Sequence, residues 1–236
     1  MNALSNSSVK LAALYSGGKD STFAIYRAIG MGHRAVCLIT MHAVADDSPL
    51  FHYPNSWVTD YLADAMQIPL IRFTVNGRRK EDEIMALEKT ILQAMSLYGI
   101  EGVVYGGISS NYQKRAFEEI CSRHKLAAIA PLWNVEPQKY MNELVEYGFS
   151  IIIVAVSAMG LGKEWLGKLI DKDALDKLAA LAKKYGFNLT FEGGEAETLV
   201  IDCPLFRKKL RINAASTQWD GQRGIFEIRE VSLVEK

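Results

Sequence analysis

The sequence predicts an α/β protein in which a five-stranded parallel sheet with helices is followed by a smaller α+β lobe. Two observations favour this fold class. Between Val9 and about Ala130, short apolar runs alternate with segments of helical periodicity, which is typical of parallel sheets with crossover helices. Around Pro131–Pro137 the pattern changes, and from Asn188 onward strands and loops predominate. We therefore predict two domains, residues 1–135 and residues 136–236.

The first domain is predicted to alternate five strands with four helices. The strands are Val9–Tyr15, Arg34–Met41, Leu70–Thr74, Gly102–Tyr105 and Leu126–Ala130. The helices are Asp20–Met31, a segment through Trp57, Tyr61 and Ala65 after a loop at 43–55, Glu81–Tyr98 and Tyr112–Arg123. Right-handed crossovers place the helices on both faces of a Rossmann-like sheet, but the strand order is left open.

The second domain is predicted to mix helices with antiparallel strands. Its elements are a helix at Lys139–Tyr147, a buried strand at Ser150–Val156, helices at Glu164–Ile170 and Lys172–Tyr185, and a hairpin about Asp220–Gly221. In the last strand the apolar alternation changes phase, which indicates a bulge at Arg229–Glu230.

The composition narrows the class of function without naming one. The 236 residues contain 27 Lys and Arg against 27 Asp and Glu, so no basic field predicts a nucleic-acid partner. The apolar stretch around Ile151–Val156 is far too short for a membrane span, and the first ten residues lack an export pattern. Three distant cysteines without a CxxC pair are typical of buried, reduced thiols. We expect a cytoplasmic protein and leave its oligomeric state open, a homodimer included.

The stretch SGGKDS directly after the first strand is typical of an anion-binding turn. A glycine-rich turn into a helix offers unpaired first-turn amides and the positive end of the helix dipole. Gly17 and Gly18 allow close backbone approach to a phosphate, Ser16 and Ser21 offer hydroxyls, and Lys19 supplies a charge. The Walker pattern is not met. A plain turn in which Asp20 or Ser21 caps the helix is the alternative, but capping alone does not require Gly-Gly-Lys.

A second stretch, YGGISSNYQ, places another glycine pair at the end of the fourth strand, before a helix. Its candidate phosphate or ribose contacts are Gly106, Gly107, Ser109, Tyr112 and Gln113. His42 ends the second strand, where such folds place adenine, although a lone histidine there is more often structural.

A third stretch, FEGGEAET, carries Glu192, Glu195 and Glu197 around a Gly-Gly turn. Clustered carboxylates repel one another, so their presence favours a function in which they bind a cationic ligand or accept a proton. The alternative is a solvated acidic turn.

Together these stretches resemble a known family. SGGKDS resembles the PP-loop of the N-type ATP pyrophosphatases, and with the block Tyr105–Trp133 and EGGEAET it resembles the diphthine–ammonia ligase, or diphthamide synthase, family over essentially the whole chain. The resemblance implies a nucleotide domain of the HUP, or adenine nucleotide α-hydrolase-like, type. Eukaryotic relatives are expected to carry additional C-terminal domains, so the chain resembles a single-unit, archaeal-type member.

The resemblance implies an AMP-forming acid–ammonia ligase. The expected reaction is ATP-dependent amidation of diphthine, a modified histidine on elongation factor 2, with ammonium as nitrogen donor and an acyl-adenylate as intermediate. Lys19, the loop amides and Mg²⁺ near Asp20 would stabilise the pyrophosphate. The three glutamates would hold ammonium, accept its proton or face the trimethylammonium of diphthine.

Three other functions remain open at this point. A PP-loop enzyme acting on tRNA would be expected to carry a cysteine pair or a strongly basic domain, and the sequence has neither. A PP-loop enzyme that amidates a different carboxylate shares all of the chemistry above. A regulatory module that only binds ATP would have no need of the acidic loop.

Overall fold

A computed structural model describes residues 8–43, 55–75 and 80–236 of the chain. This part of the chain forms two compact units. The first comprises the described residues up to Ser16, then 20–43, and from Ile68 to Trp133; the second comprises Gly17–Lys19, residues 55–67 and Asn134–Lys236. The boundary at residue 135 stays a prediction. Most of the expected loop at 43–55 lies outside the described residues.

The first unit is built on a five-stranded, wholly parallel sheet of order β3-β2-β1-β4-β5. The strands are β1 (Lys10–Leu14), β2 (Arg34–Ala43), β3 (Leu70–Val75), β4 (Gly102–Val104) and β5 (Ala127–Ile129). The connecting helices are α1 (Lys19–Gly30), α2 (Thr59–Met66), α3 (Lys80–Tyr98) and α4 (Asn111–Arg123), of which α2 belongs to the second unit. The predicted parallel α/β class is confirmed.

Apolar side chains at strand and helix spacing build the core of this unit. Ile39 of β2, Val103 of β4, Leu87 and Ile91 of α3, and Ile120 of α4 are all buried in one cluster. Each of these positions was apolar in a periodic segment of the sequence, so burial of the periodic face explains why these segments form strands and helices.

The second unit is built on a four-stranded antiparallel sheet of order β7-β6-β9-β8. Its strands are β6 (Ser150–Val156), β7 (Ala196–Asp202), β8 (Lys209–Trp219) and β9 (Gly224–Val234), and its further helices are α5 (Pro137–Glu146) and α6 (Lys172–Tyr185). The pairing of β8 with β9 skips Arg229, which confirms the predicted bulge, and also skips Asn213 on the facing strand. The predicted smaller α+β lobe is confirmed.

The helix predicted at Glu164–Ile170 is wrong. Only a 3₁₀ turn, Lys163–Trp165, forms there. Beyond it Gly167 has a φ of +77° and donates its N–H to the Ile153 carbonyl at 2.8 Å, while the Ile170 N–H donates to the Ile151 carbonyl at 2.8 Å. Because β6 takes up these backbone groups, the segment lies along its edge instead of coiling on itself.

Within the described residues, no helix combines the length and the apolar character that crossing a membrane requires.

The three cysteines yield a prediction about thiol reactivity. Cys37, Cys121 and Cys203 are free and buried, and burial raises the pKa to about 12 for Cys37 and Cys203 and to about 11 for Cys121. The native protein at pH 8 should therefore resist a disulfide reagent such as DTNB, whereas three thiols should react in denaturant. Fast release of chromophore from the native protein would contradict this.

The same shifts set the sign of a pH effect. The folded thiols keep their protons above the ordinary pKa of 9.0, so the folded state binds more protons than the unfolded state between about pH 9 and 12. The thiol contribution to the free energy of unfolding is complete below pH 9 and falls as the pH rises through this range.

Candidate active site

The predicted anion-binding turn lies where β1 ends and α1 begins. The strand ends at Leu14, and the helix begins at Lys19, one residue earlier than the sequence indicated. Gly17 has a φ of +81°, a backbone conformation that favours glycine. A Cβ there would lie 2.8 Å from Cδ1 of Leu62 and 3.4 Å from Cδ1 of Leu199, so the turn passes too close to its neighbours for a side chain.

Strand β7 fixes the backbone of this turn. The Val200 N–H donates to the Gly17 carbonyl at 2.9 Å, and the Lys19 N–H donates to Oγ1 of Thr198 at 3.2 Å. Thr198 itself is buried. These residues all belong to the second unit, so the central part of the predicted motif is held by the strand that also carries Glu197.

Lys19 is the charged centre of the turn. Its side chain is only 2 % exposed, and Nζ lies 5.5 Å from the centroid of the Phe191 ring. Lysine is rarely buried to this extent, because removing an ammonium from water is costly. A buried ammonium at a positive-φ glycine and a helix N-terminus suits an anionic ligand such as an ATP phosphate.

The flanking motif residues belong to the first unit. Oγ of Ser16 and Oγ of Ser21 lie 3.1 Å apart, and the Ser16 N–H donates to Oγ of Ser21 at 3.3 Å. The two serines therefore join the two ends of the turn. Asp20, in the first turn of α1, is partly exposed and offers carboxylate oxygens of the kind Mg²⁺ prefers. Across the described ranges, no three His, Cys, Asp or Glu side chains cluster as a metal site.

The second predicted glycine pair is brought against the first motif. A Cβ on Gly106 would lie 2.6 Å from the carbonyl carbon of Asp20 and 2.7 Å from the backbone nitrogen of Ser21. The end of β4 therefore packs directly on the first turn of α1, and only glycine permits this approach. At Gly107, by contrast, a Cβ would meet only the ring of Tyr105, at 3.4 Å.

The other predicted nucleotide contacts are spread along the first unit. Ser109 is exposed, and Tyr112 lies in the first turn of α4 with 42 % of its surface exposed. Gln113 follows it in α4, and His42 lies in β2 opposite Thr74; the side chains of Gln113 and His42 fall outside the described part of the structure. Their roles stay predictions.

One glutamate of the acidic loop, Glu192–Glu197, is hydrogen-bonded to backbone groups of the loop and of its flanking residues. The two carboxylate oxygens of Glu195 accept the Asn188 N–H at 2.9 Å and the Gly193 N–H at 2.8 Å. The Glu195 carbonyl accepts the N–H groups of Ser157 and Ala158. Glu195 is therefore tied into the loop backbone, whereas Glu192 and Glu197 are partly exposed and lie on either side of it, Glu197 in β7.

Two residues of this site were not predicted from the sequence. Thr198 and Phe191 both lie within the stretch FEGGEAET, whose acidic pattern indicates only its glutamates as site residues. The available signal was their position: a buried aromatic directly before an acidic turn, and a hydroxyl at the start of the following strand. Neither pattern discloses that both residues contact Lys19, which is more than 170 residues earlier in the chain.

The fold and the turn first define a class. A parallel sheet whose first strand leads into Gly-Gly-Lys at a helix N-terminus is typical of the α/β nucleotide-binding proteins of the PP-loop type. Two family models match the chain, the diphthamide synthase N-terminal domain over residues 9–128 and the diphthamide synthase C-terminal domain over residues 136–234. The chain belongs to the diphthamide synthase family, as the sequence indicated, and the predicted ligase class is confirmed with it.

Curated relatives agree with this membership. A relative from Danio rerio is 33 % identical over 226 residues, and the match covers 89 % of this chain and 88 % of the relative. A relative from Homo sapiens is 32 % identical over 225 residues, and the match covers 88 % of this chain and 84 % of the relative. A relative from Schizosaccharomyces pombe is 33 % identical over 217 residues, covering 86 % of this chain but 36 % of its own length. All three are named diphthine–ammonia ligase.

The lengths of these relatives correct one expectation. Additional sequence is present in the yeast relative, but the chain covers most of the fish and human relatives. The expectation that eukaryotic relatives carry additional C-terminal domains is therefore wrong for the fish and human relatives.

The glycine contacts predict the effect of two matched substitutions. Gly106→Ala should lower the free energy of unfolding by about 1–3 kcal/mol and weaken ATP binding, because the new methyl group collides with the α1 backbone. Gly107→Ala, one residue on, should change both quantities little. Urea unfolding and calorimetric titration with ATP measure the two effects. Equal behaviour of the two variants would contradict the close approach at Gly106.

Proposed function

We propose that this chain amidates the carboxylate of diphthine on elongation factor 2 in a reaction that consumes ATP and ammonium. One observation carries the proposal: the Gly17–Lys19 turn is hydrogen-bonded to β7, the strand that begins within the acidic loop and carries Glu197. A phosphate-binding group and a carboxylate group are thus joined in one unit of a chain whose relatives are named diphthine–ammonia ligase.

The first half-reaction forms an acyl-adenylate. A carboxylate oxygen of diphthine attacks the α-phosphorus of ATP, the bond to the bridging oxygen breaks, and pyrophosphate leaves with the electron pair. Negative charge builds on the pyrophosphate as that bond lengthens. The Lys19 ammonium and the amides at the start of α1 would stabilise this charge in a site from which water is largely excluded.

Mg²⁺ fits the residues present at the start of α1. The Asp20 carboxylate stands in the first helical turn, beside the amides that would face the phosphates. A bound Mg²⁺ would supply charge neutralisation on the phosphate oxygens. Asp20 would hold it through an oxygen ligand, as hard cations require.

The second half-reaction replaces AMP by ammonia. Ammonium must lose a proton before its nitrogen can attack the acyl carbon, and a neighbouring carboxylate can accept that proton. We assign this to Glu197, because it lies in β7, the strand that is hydrogen-bonded to the Lys19 turn, and to Glu192 at the other side of the Gly-Gly pair. Both oxygens of Glu195 accept backbone N–H groups. Glu195 is assigned the role of holding the loop in shape.

The partners follow from this reaction. Elongation factor 2 carrying diphthine supplies the carboxylate and ammonium supplies the nitrogen, and the chain would act in the cytoplasm, where translation takes place. A different carboxylate, a tRNA, or ATP binding without turnover are the outcomes that the following experiment separates.

The reaction predicts a specific product pattern from ATP labelled at the α-phosphate. With Mg²⁺, ammonium and diphthine-bearing elongation factor 2, labelled AMP should form in equal amount to amidated factor, and none should form without the factor. Lys19→Ala should abolish pyrophosphate release while the far-ultraviolet circular dichroism stays unchanged. Labelled ADP, or tight ATP binding without turnover, would contradict the proposal.

The glutamate assignment predicts different defects for two conservative variants. Glu197→Gln should slow amidation by about 100-fold or more while pyrophosphate release continues, because only proton removal from ammonium is lost. Hydroxylamine, which is uncharged at neutral pH, should restore product formation. Glu195→Gln should instead lower the melting temperature and reduce both half-reactions together, because one of the two accepting oxygens becomes an NH2 group, which cannot accept the N–H that faces it. Rescue of Glu195→Gln alone by hydroxylamine would exchange the two roles.

A further inference from the structure

The contact between Lys19 and Phe191 lies outside the reaction chemistry assigned above. Both side chains are buried, at 2 % and 5 % exposure, and Nζ of Lys19 lies 5.5 Å from the ring centroid. An ammonium within about 6 Å of an aromatic ring is attracted by the negative face of the ring, and this attraction is larger where water is excluded. The contact therefore bears directly on where the Lys19 charge is held.

The backbone at Phe191 adopts a conformation that a bulky residue rarely takes. Its φ is +64°, in the left-handed region that normally favours glycine or asparagine. Two hydrogen bonds hold it there, from the Phe191 N–H to the Asn188 carbonyl at 2.9 Å and from the Gly194 N–H to the Phe191 carbonyl at 3.2 Å. Glycine would fit this conformation without strain, so the aromatic side chain is present in spite of the backbone and not because of it.

An aromatic ring has a particular advantage as a neighbour of a phosphate-binding lysine. The face of a ring attracts the ammonium while leaving its net charge in place, and it restricts a side chain that otherwise has many rotamers. Less conformational freedom is then lost when a phosphate binds.

We propose that Phe191 is a positioning residue for the ATP half-reaction: its ring holds the Lys19 ammonium in the pose that receives the pyrophosphate. The proposal rests on the function proposed above for Lys19. It assigns to the residue directly before Glu192 a role in ATP binding that acts through Lys19.

Fluorination of the ring tests this without changing its shape greatly. Phenylalanine, 4-fluoro-, 3,5-difluoro- and 3,4,5-trifluorophenylalanine at position 191 weaken the negative ring face in steps. The dissociation constant for ATP with Mg²⁺, measured calorimetrically without elongation factor 2, should rise stepwise, by about threefold to thirtyfold over the series. The same series at Phe206, another buried phenylalanine of the second unit, should give no trend.

A double substitution isolates the contact from nucleotide binding. In the ligand-free protein the melting temperature should fall stepwise along the fluorinated series at position 191. In a Lys19→Met background, where no ammonium faces the ring, the melting temperature should not follow the series.

Two results would overturn the proposal. ATP affinity that does not change along the series would make Phe191 an ordinary core residue, and affinity that increases would mean that the ring holds Lys19 away from the phosphate. The test is separate from that of the reaction. A clear ATP trend without amidation of elongation factor 2 would remove the proposed substrate, while amidation with no trend would remove only the role of Phe191.

Discussion

The backbone pairing between β7 and the Gly17–Lys19 turn is the constraint on which the site depends. Val200 donates to the Gly17 carbonyl, and Thr198 accepts the Lys19 N–H through its hydroxyl. The two bonds join positions that are about 180 residues apart in the chain. Because β7 is itself paired with β6 over most of its length, the turn is held by a sheet and not by a mobile loop. The phosphate-binding geometry is thus set by the C-terminal part of the chain as much as by the motif.

This anchoring has a consequence for the two half-reactions. In the proposed reaction, adenylation would use the Lys19 turn and amidation would use the carboxylates. Strand β7 connects the two through a few covalent bonds, from Glu197 to Thr198 and on to Val200. A displacement of the turn when ATP binds would also displace the strand that carries Glu197. The acyl-adenylate is sensitive to water, so an arrangement that links formation of the intermediate to the position of the ammonia-activating group would limit its loss by hydrolysis.

The fold class and the position of the Gly-Gly-Lys turn between β1 and α1 could be predicted from sequence because both are local. The alternation of apolar runs and the Gly-Gly-Lys turn need only the residues within one segment. The contacts of Lys19 with Thr198 and Phe191 could not be predicted, since they depend on long-range packing. The incorrect helix at Glu164–Ile170 has the same origin: its periodicity was helical, but the part of β6 that β9 does not pair supplied partners for its backbone. The catalytic role expected of Glu195 stays a prediction, and its two backbone partners become visible only in three dimensions.

The burial of Lys19 explains why an aromatic residue, Phe191, lies directly beside the acidic loop. An ammonium that is 2 % exposed destabilises the fold unless neighbouring groups stabilise the charge, and full neutralisation would leave little attraction for a phosphate. A ring face provides part of the required stabilisation and keeps the charge available. The strained backbone at Phe191 then turns the chain directly into Glu192 and the glycine pair that follows. In the proposed reaction, this one short stretch would serve both half-reactions: Phe191 lies beside the Lys19 ammonium of the first step, and the stretch also carries the carboxylates assigned to the second.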